Sequence, residues 1–163
     1  MEDTYLKCNR KLEILEYFDE MNKLKADILK GIYAYGFQKP SKIQSIIIEP
    51  MYSTGKDIIA QAHSGTGKTG AFSIATLQIL DNKYKETQVL VLSPTRELAE
   101  QTFEVYKALS TYLKINVHMS IGGTNRYEEI KKLKKDKPHV VIGTPGRCFD
   151  MIRNNILSVN NLK

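Results

Sequence analysis

The run Ala62-His63-Ser64-Gly65-Thr66-Gly67-Lys68-Thr69 constrains the fold of this chain more than any other segment. A loop ending Gly-Lys-Thr, entered from a short apolar run and followed by a helical pattern, has the form of a phosphate-cradling loop. Ala62 stands where the general pattern has its first glycine. Gly65 and Gly67 let the backbone curl until consecutive N–H groups point inward as an anion nest. The helix that follows adds its positive N-terminal end. Lys68 is then placed to meet β- and γ-phosphates, and the Thr69 hydroxyl to ligate Mg²⁺. Kinases, GTPases, DNA recombinases and helicases all use such a loop, so it predicts a nucleoside triphosphate and leaves the chemistry open.

The surrounding pattern is a strand-then-helix rhythm. Asp57-Ile58-Ile59-Ala60 is expected to be a short buried strand leading into the loop, with a helix from about Lys68 to Leu80. Val89 to Leu92 predicts a second strand. Thr95 then caps a long helix whose apolar face is expected to hold Leu98, Thr102, Val105, Leu109 and Tyr112. Asn116 to Ile121 and Val140 to Ile142 are the third and fourth strands. A helix over Arg126 to Lys134 lies between them, and after the fourth a Pro-Gly turn leads to a helix near Phe149 to Arg153. Upstream, Leu24, Ile28, Ile32 and Tyr35 mark a helix that Gly36 ends. Ser41 caps another, carrying Ile43, Ile46 and Ile47 towards Pro50. Short apolar strands alternating with helices predict an α/β fold, a parallel sheet with helices on both faces.

The 163 residues suit one domain, with residues 1–17 as a charge-rich arm and 18–163 as the folded part. Their 24 basic and 18 acidic residues give a net charge of +6, which favours polyanionic partners without requiring them. Cys8 and Cys148 lie far apart, and with three scattered histidines a His/Cys metal site is not expected. Both thiols are expected to be reduced, in keeping with a cytoplasmic or nuclear protein. No leader pattern opens the sequence, and the longest apolar runs are too short to cross a bilayer.

The segment Gly36-Phe37-Gln38-Lys39-Pro40-Ser41-Lys42-Ile43-Gln44 narrows the ligand. A buried Gln44 amide, donor beside acceptor, matches the adenine edge and mismatches guanine. This segment resembles the Q motif of the DEAD-box RNA helicases, and Phe18 matches that motif's upstream aromatic. Further motifs follow in the family's order: Ala62 to Thr69, Pro94-Thr95-Arg96-Glu97-Leu98-Ala99, the pair Gly122-Gly123, and Thr144-Pro145-Gly146-Arg147. The stretch Gly31 to Phe37 looks most like the translation initiation factor 4A group. His63 stands where close relatives usually have Gln.

The resemblance implies the first RecA-like domain of an ATP-dependent RNA helicase, ending before the D-E-A-D sequence. It also implies a parent protein that couples ATP hydrolysis to RNA unwinding in translation initiation. ATP and Mg²⁺ would be the cofactors. Phe18, Phe37, Lys39, Gln44, Ser64, Gly65, Thr66, Gly67, Lys68 and Thr69 would hold the nucleotide. Lys68 and Thr69 would serve catalysis, and Thr69 the metal. Pro94, Thr95, Arg96, Gly122, Gly123, Thr144, Pro145, Gly146 and Arg147 would track single-stranded RNA through its sugar-phosphate backbone. Arg96 and Arg147 offer forked guanidinium donors, while Thr95 and Thr144 cap helix starts. Such contacts position a strand without reading its sequence.

A second RecA-like domain and a scaffold protein would be the protein partners of an otherwise monomeric chain. Without the D-E-A-D segment and the second domain's arginine fingers, these residues alone are expected to be inactive as an ATPase. The alternatives are another RecA-like DNA-dependent ATPase, a small-molecule kinase, and a docking domain that never hydrolyses ATP. The Q motif together with Thr-Pro-Gly-Arg argues against the first two. The lysines from Lys131 to Lys137 are read as a solvated helix end.

Overall fold

The computed structural model describes residues 15–163; Cys8 and residues 1–14 of the expected arm lie outside them. The chain divides into two compact units, the first reaching to Ile79 and the second beginning at Leu80.

The first unit is helical. A 3-10 turn at Phe18–Glu20 is followed by α1 (Ala26–Ala34), α2 (Lys42–Ser53) and α3 (Lys68–Ile79). α2 starts with a reciprocal cap in which Ser41 Oγ accepts from the Gln44 N–H and the Gln44 side chain accepts from the Ser41 N–H. The helix does not stop at Pro50 but continues to Ser53. Proline there removes the N–H that would have bonded the Ile46 carbonyl, and the helix carries that loss for its last turn. Ile43, Ile46, Ile47 and Ile48 of α2 are buried, and α2 lies along α3, whose Gly70, Ala71, Ser73 and Ala75 leave room for close approach.

The strand expected over 57–60 does not form, and Ile59 is 98% exposed. A run of three apolar residues becomes a strand only through ladder partners, and this one has none among the described residues.

The second unit is a parallel sheet in the order β1-β3-β2, with β1 at Val89–Leu92, β2 at Val117–Ser120 and β3 at Val140–Gly143. Helices α4 (Arg96–Leu109), α5 (Arg126–Asp136) and α6 (Pro145–Arg153) each begin shortly after a strand. On one face Val141 packs with Leu133 of α5, Met151 of α6 and Leu157. Val140 and Ile142 point the other way and are also fully buried, so both faces of the central strand are covered. α4 lies against β2 and β3. This is the expected α/β, RecA-like architecture.

Two helix expectations are corrected. The buried stripe of α4 is Ala99, Thr102, Tyr106 and Leu109, while Leu98 and Tyr112 are exposed. Spacings of three and four from Ala99 keep those residues on one face, and the small Ala99 gave the apolar pattern little weight. α6 begins at Pro145 rather than near Phe149: proline's fixed φ and missing N–H suit the first helical position.

The strand register matters most for function. Leu92 pairs with Gly143 and Gly143 with Ser120, so all three strands end level. Segments 93–96, 121–125 and 144–147 therefore emerge side by side, at the edge where parallel α/β sheets commonly place ligands. Gly143 makes this alignment feasible, because a Cβ there would lie 2.0 Å from the Ser120 carbonyl oxygen. With no side chain in the way, the Thr144 N–H donates to Ser120 O at 3.0 Å and the Ser93 N–H to Gly143 O at 2.9 Å.

Candidate functional site

In the first unit the phosphate loop and the Q-like segment are built together. Gly65 and Gly67 have φ of +80° and +93°, and α3 begins directly at Lys68. The Lys68 ammonium donates to the carbonyls of Ala62 (2.5 Å) and His63 (2.6 Å), which holds it over the hollow of the loop. Thr66 Oγ1 donates to His63 O at 2.8 Å, tightening the same turn. Ser64 is exposed, and Thr69 is partly exposed on the first turn of α3. Lysine, a helix start and a hydroxyl converging on one loop form a donor set that fits a triphosphate. Among the described residues no cluster of three or more His, Cys, Asp or Glu could hold a metal by itself.

Gln44 is 3% exposed, and its amide spans two segments, with Oε1 accepting from Ser41 N at 2.8 Å and Nε2 donating to Gly67 O at 3.2 Å. Ser41 Oγ adds a bond to Thr66 O at 2.8 Å. A Cβ on Gly67 would come within 2.7 Å of Gln44 Nε2, so this position requires glycine for its space as well as its positive φ.

Phe37 is partly exposed. Phe18 stacks behind it, centroids 6.3 Å apart, while Tyr35 meets its edge at 4.8 Å. Phe18 itself is fully buried, so it backs Phe37 and offers no face of its own to a ligand. Lys39 bonds Glu16 at 2.7 Å and lies 4.7 Å from the centre of the Tyr17 ring. The Glu16 hydrogen bond is the largest of the contacts that push the lysine's pKa up.

In the second unit an open cleft of about 680 Å³ is lined by Pro94, Thr95, Arg96, Glu97, Gly122, Thr144, Gly146, Arg147 and Asp150. Seven of these are residues expected to face RNA. Pro145 and Gly123 do not line it, although Gly123 lies directly beneath the Arg96 guanidinium. α4, α5 and α6 all start at this edge, so three helix N-termini bias it towards anions. Thr95 caps α4 by accepting from the Leu98 N–H, and Asn125 caps α5. Thr144 occupies the cap position of α6, yet its side chain makes no capping bond, contrary to expectation. Pro145 brings no N–H to cap.

The two cleft arginines differ. Arg96 is exposed and forms no ion pair among the described residues. The Arg147 side chain is only 11% exposed; its Nη1 donates to Glu129 Oε2 at 2.7 Å and its Nη2 to Thr124 O at 3.1 Å. Glu129 also accepts from Ser120 Oγ at 2.6 Å, and His118 Nε2 stands 3.8 Å away. Burial raises the Glu129 pKa, but His118, the Ser120 hydroxyl and the Arg147 charge outweigh it and hold the carboxyl below its usual range. Asp150, also in the cleft, is gripped in fork fashion by Arg126 at 2.7 and 3.3 Å.

Glu129, Thr124, Arg126 and Asp150 were missed by sequence reasoning. The only available signal was Glu129 itself, a carboxylate four residues before Leu133 on the buried stripe of a charged helix.

The DEAD/DEAH box helicase family model matches residues 41–163. The chain belongs to that family. Among solved structures, S. cerevisiae Dbp5 bound to RNA and ADP BeF3 is 36% identical with a TM-score of 0.81, covering 91% of this chain and 37% of that one. A DEAD box protein from the hyperthermophile Methanococcus jannaschii is 34% identical with a TM-score of 0.84, covering 91% and 40%. A Dbp5 variant bound to Nup159, a Gle1 variant, IP6 and ADP is 36% identical with a TM-score of 0.78, covering 86% and 36%. The chain thus spans well under two thirds of the structures it matches.

Proposed function

We propose that this chain is the nucleotide-binding first RecA-like domain of a monomeric ATP-dependent RNA helicase of the initiation factor 4A group. Its parent would act in translation initiation in the cytoplasm. The observation that carries the RNA half is the cleft over the level ends of three parallel strands, where three helix starts and a free Arg96 meet. A groove of backbone donors and helix ends suits a sugar-phosphate chain and reads no bases. The Dbp5 structures with RNA and with protein partners support the same reading, including a scaffold partner.

ATP would enter the loop at 62–69, with Lys68 against the terminal phosphates and Mg²⁺ held between those phosphates and the Thr69 hydroxyl. Phe37, Lys39 and Gln44 flank the adenine side. The 163 residues contain no Asp-Glu-Ala-Asp run, and this polypeptide alone is expected to hydrolyse ATP negligibly.

The test is fluorescence anisotropy with several unrelated single-stranded RNAs over a salt series. Weak binding that is indifferent to sequence and lost towards physiological salt is expected. Tight binding to one sequence, unaffected by Arg96→Ala, would place the RNA surface elsewhere.

A further inference from the structure

We infer that Glu129 is a positioning residue for the RNA cleft. On this inference Arg147 acts as a strut locked to Glu129, while Arg96 is the arginine that neutralises phosphate. The inference rests on the RNA reading of the cleft and adds a division of labour between two arginines that the sequence motifs treat alike.

The geometry carries it. The Glu129 carboxylate gathers the Ser120 hydroxyl from the end of β2, the Thr124 hydroxyl at 3.4 Å from the loop after it, and Arg147 from the first turn of α6. The same Arg147 fork holds Thr124 O. One buried carboxylate therefore joins two of the three segments that line the cleft. A guanidinium already paired at 2.7 Å and almost wholly covered contributes little net charge to a passing strand. Arg96 lies exposed over the glycine pair without such a partner. The groups facing Glu129 are Arg147 and His118; Asp150, the nearest other carboxylate of the cleft, is held by Arg126.

Salt dependence separates the two roles, because only neutralised phosphates steepen the log–log slope, by about 0.7 each on a single strand. Arg96→Ala is expected to weaken RNA binding and flatten the slope by about that amount. Arg147→Gln and Glu129→Gln should each weaken binding roughly tenfold, as loss of a charged hydrogen bond does, while leaving the slope unflattened. The double variant Glu129→Gln/Arg147→Gln should cost little more than either single change, since both break one link. It also leaves no lone buried charge, which guards against misfolding of the singles.

A nitrogen-15 NMR measurement on the free protein supplies a readout independent of RNA. The Arg147 side-chain N–H signals should be resolved and slowly exchanging in the wild type and lost in Glu129→Gln. Flattening of the slope by Arg147→Gln to the extent seen for Arg96→Ala would overturn the proposal. So would additive losses in the double variant, or Arg147 signals indifferent to Glu129→Gln. If the wild-type chain bound no RNA, the reading of the cleft would fall, and the NMR result would still decide whether Glu129 fixes Arg147.

Discussion

Gly143→Ala is the sharpest test of how this fold builds its cleft. The added Cβ would lie 2.0 Å from Ser120 O and 2.7 Å from the Cys148 sulfur. A comfortable carbon–oxygen contact is roughly 3.3 Å, so β2 and β3 must part by about 1 Å at their C-terminal ends. The Thr144 N–H to Ser120 O bond, now 3.0 Å, would then stretch beyond hydrogen-bonding range. Overpacking a close contact costs about 1–3 kcal/mol, and a lost backbone bond about 1 kcal/mol more. The sum, about 2–4 kcal/mol, corresponds to a drop in Tm of roughly 5–15 °C for a chain of this size.

Circular dichroism melts of Gly143→Ala and Gly146→Ala make the comparison. Gly146 also lies in the cleft, but a Cβ there meets nothing within 4 Å, and the residue is in the first turn of α6. Alanine at that position should be neutral or slightly stabilising. The reasoning is refuted if Gly143→Ala melts within about 2 °C of the wild type, or if Gly146→Ala proves the more damaging of the two.

Ser41→Ala removes both the cap of α2 and the bond to Thr66 O, and should cost about 1–2 kcal/mol in a denaturant titration. An unchanged midpoint would mean the capping box is incidental. Gln44→Ala strips the Gly67 carbonyl of its side-chain donor and should weaken ADP binding in calorimetry about tenfold while eroding any preference over GDP. Equal affinity of the wild type for the two nucleotides would sink the adenine assignment. His139 is buried, its Nδ1 accepts from the Asn116 N–H at 3.0 Å, and burial pushes its pKa below 6.5. The unfolded chain therefore takes up the proton first, so its stabilisation is full above the unfolded value and is lost as pH falls through 6.5 towards the depressed folded value. Melts at pH 7.5 and 5.5 should differ in that direction, and His139→Asn should reduce the difference.

The parts of this molecule that were legible in the sequence are those fixed by local chemistry. Ser41 and Thr95 cap helices because each offers an oxygen just ahead of a helical pattern, and both are found at cap positions. Val89–Leu92 and Val140–Gly143 are apolar runs of strand length, and the sheet uses them as such. What failed depends on partners remote in sequence. Ile58 and Ile59 look like a buried strand, but a strand exists only through its neighbours. Of the two partners of the Gln44 amide, Ser41 is local, but Gly67 lies twenty-three residues away and left no trace in the sequence.

The cleft carries this argument one step further. Arg96 and Arg147 both lie in the first turn of a helix that starts after a threonine, and the sequence motifs give them one role. Their difference is made by Glu129, eighteen residues from Arg147 and on another helix, which the level strand ends bring beneath the second arginine and not the first. Strand register decides which charge is spent inside the protein and which is left for a ligand. A carboxylate on the buried stripe of a lysine-rich helix is the sequence trace of that decision, since burying it without a cation would be costly. On the proposed reading, an unpaired arginine beside a glycine pair and a paired one beside a buried acid are two parts of one device: the first would supply charge to a phosphate, and the second would fix where that phosphate lies.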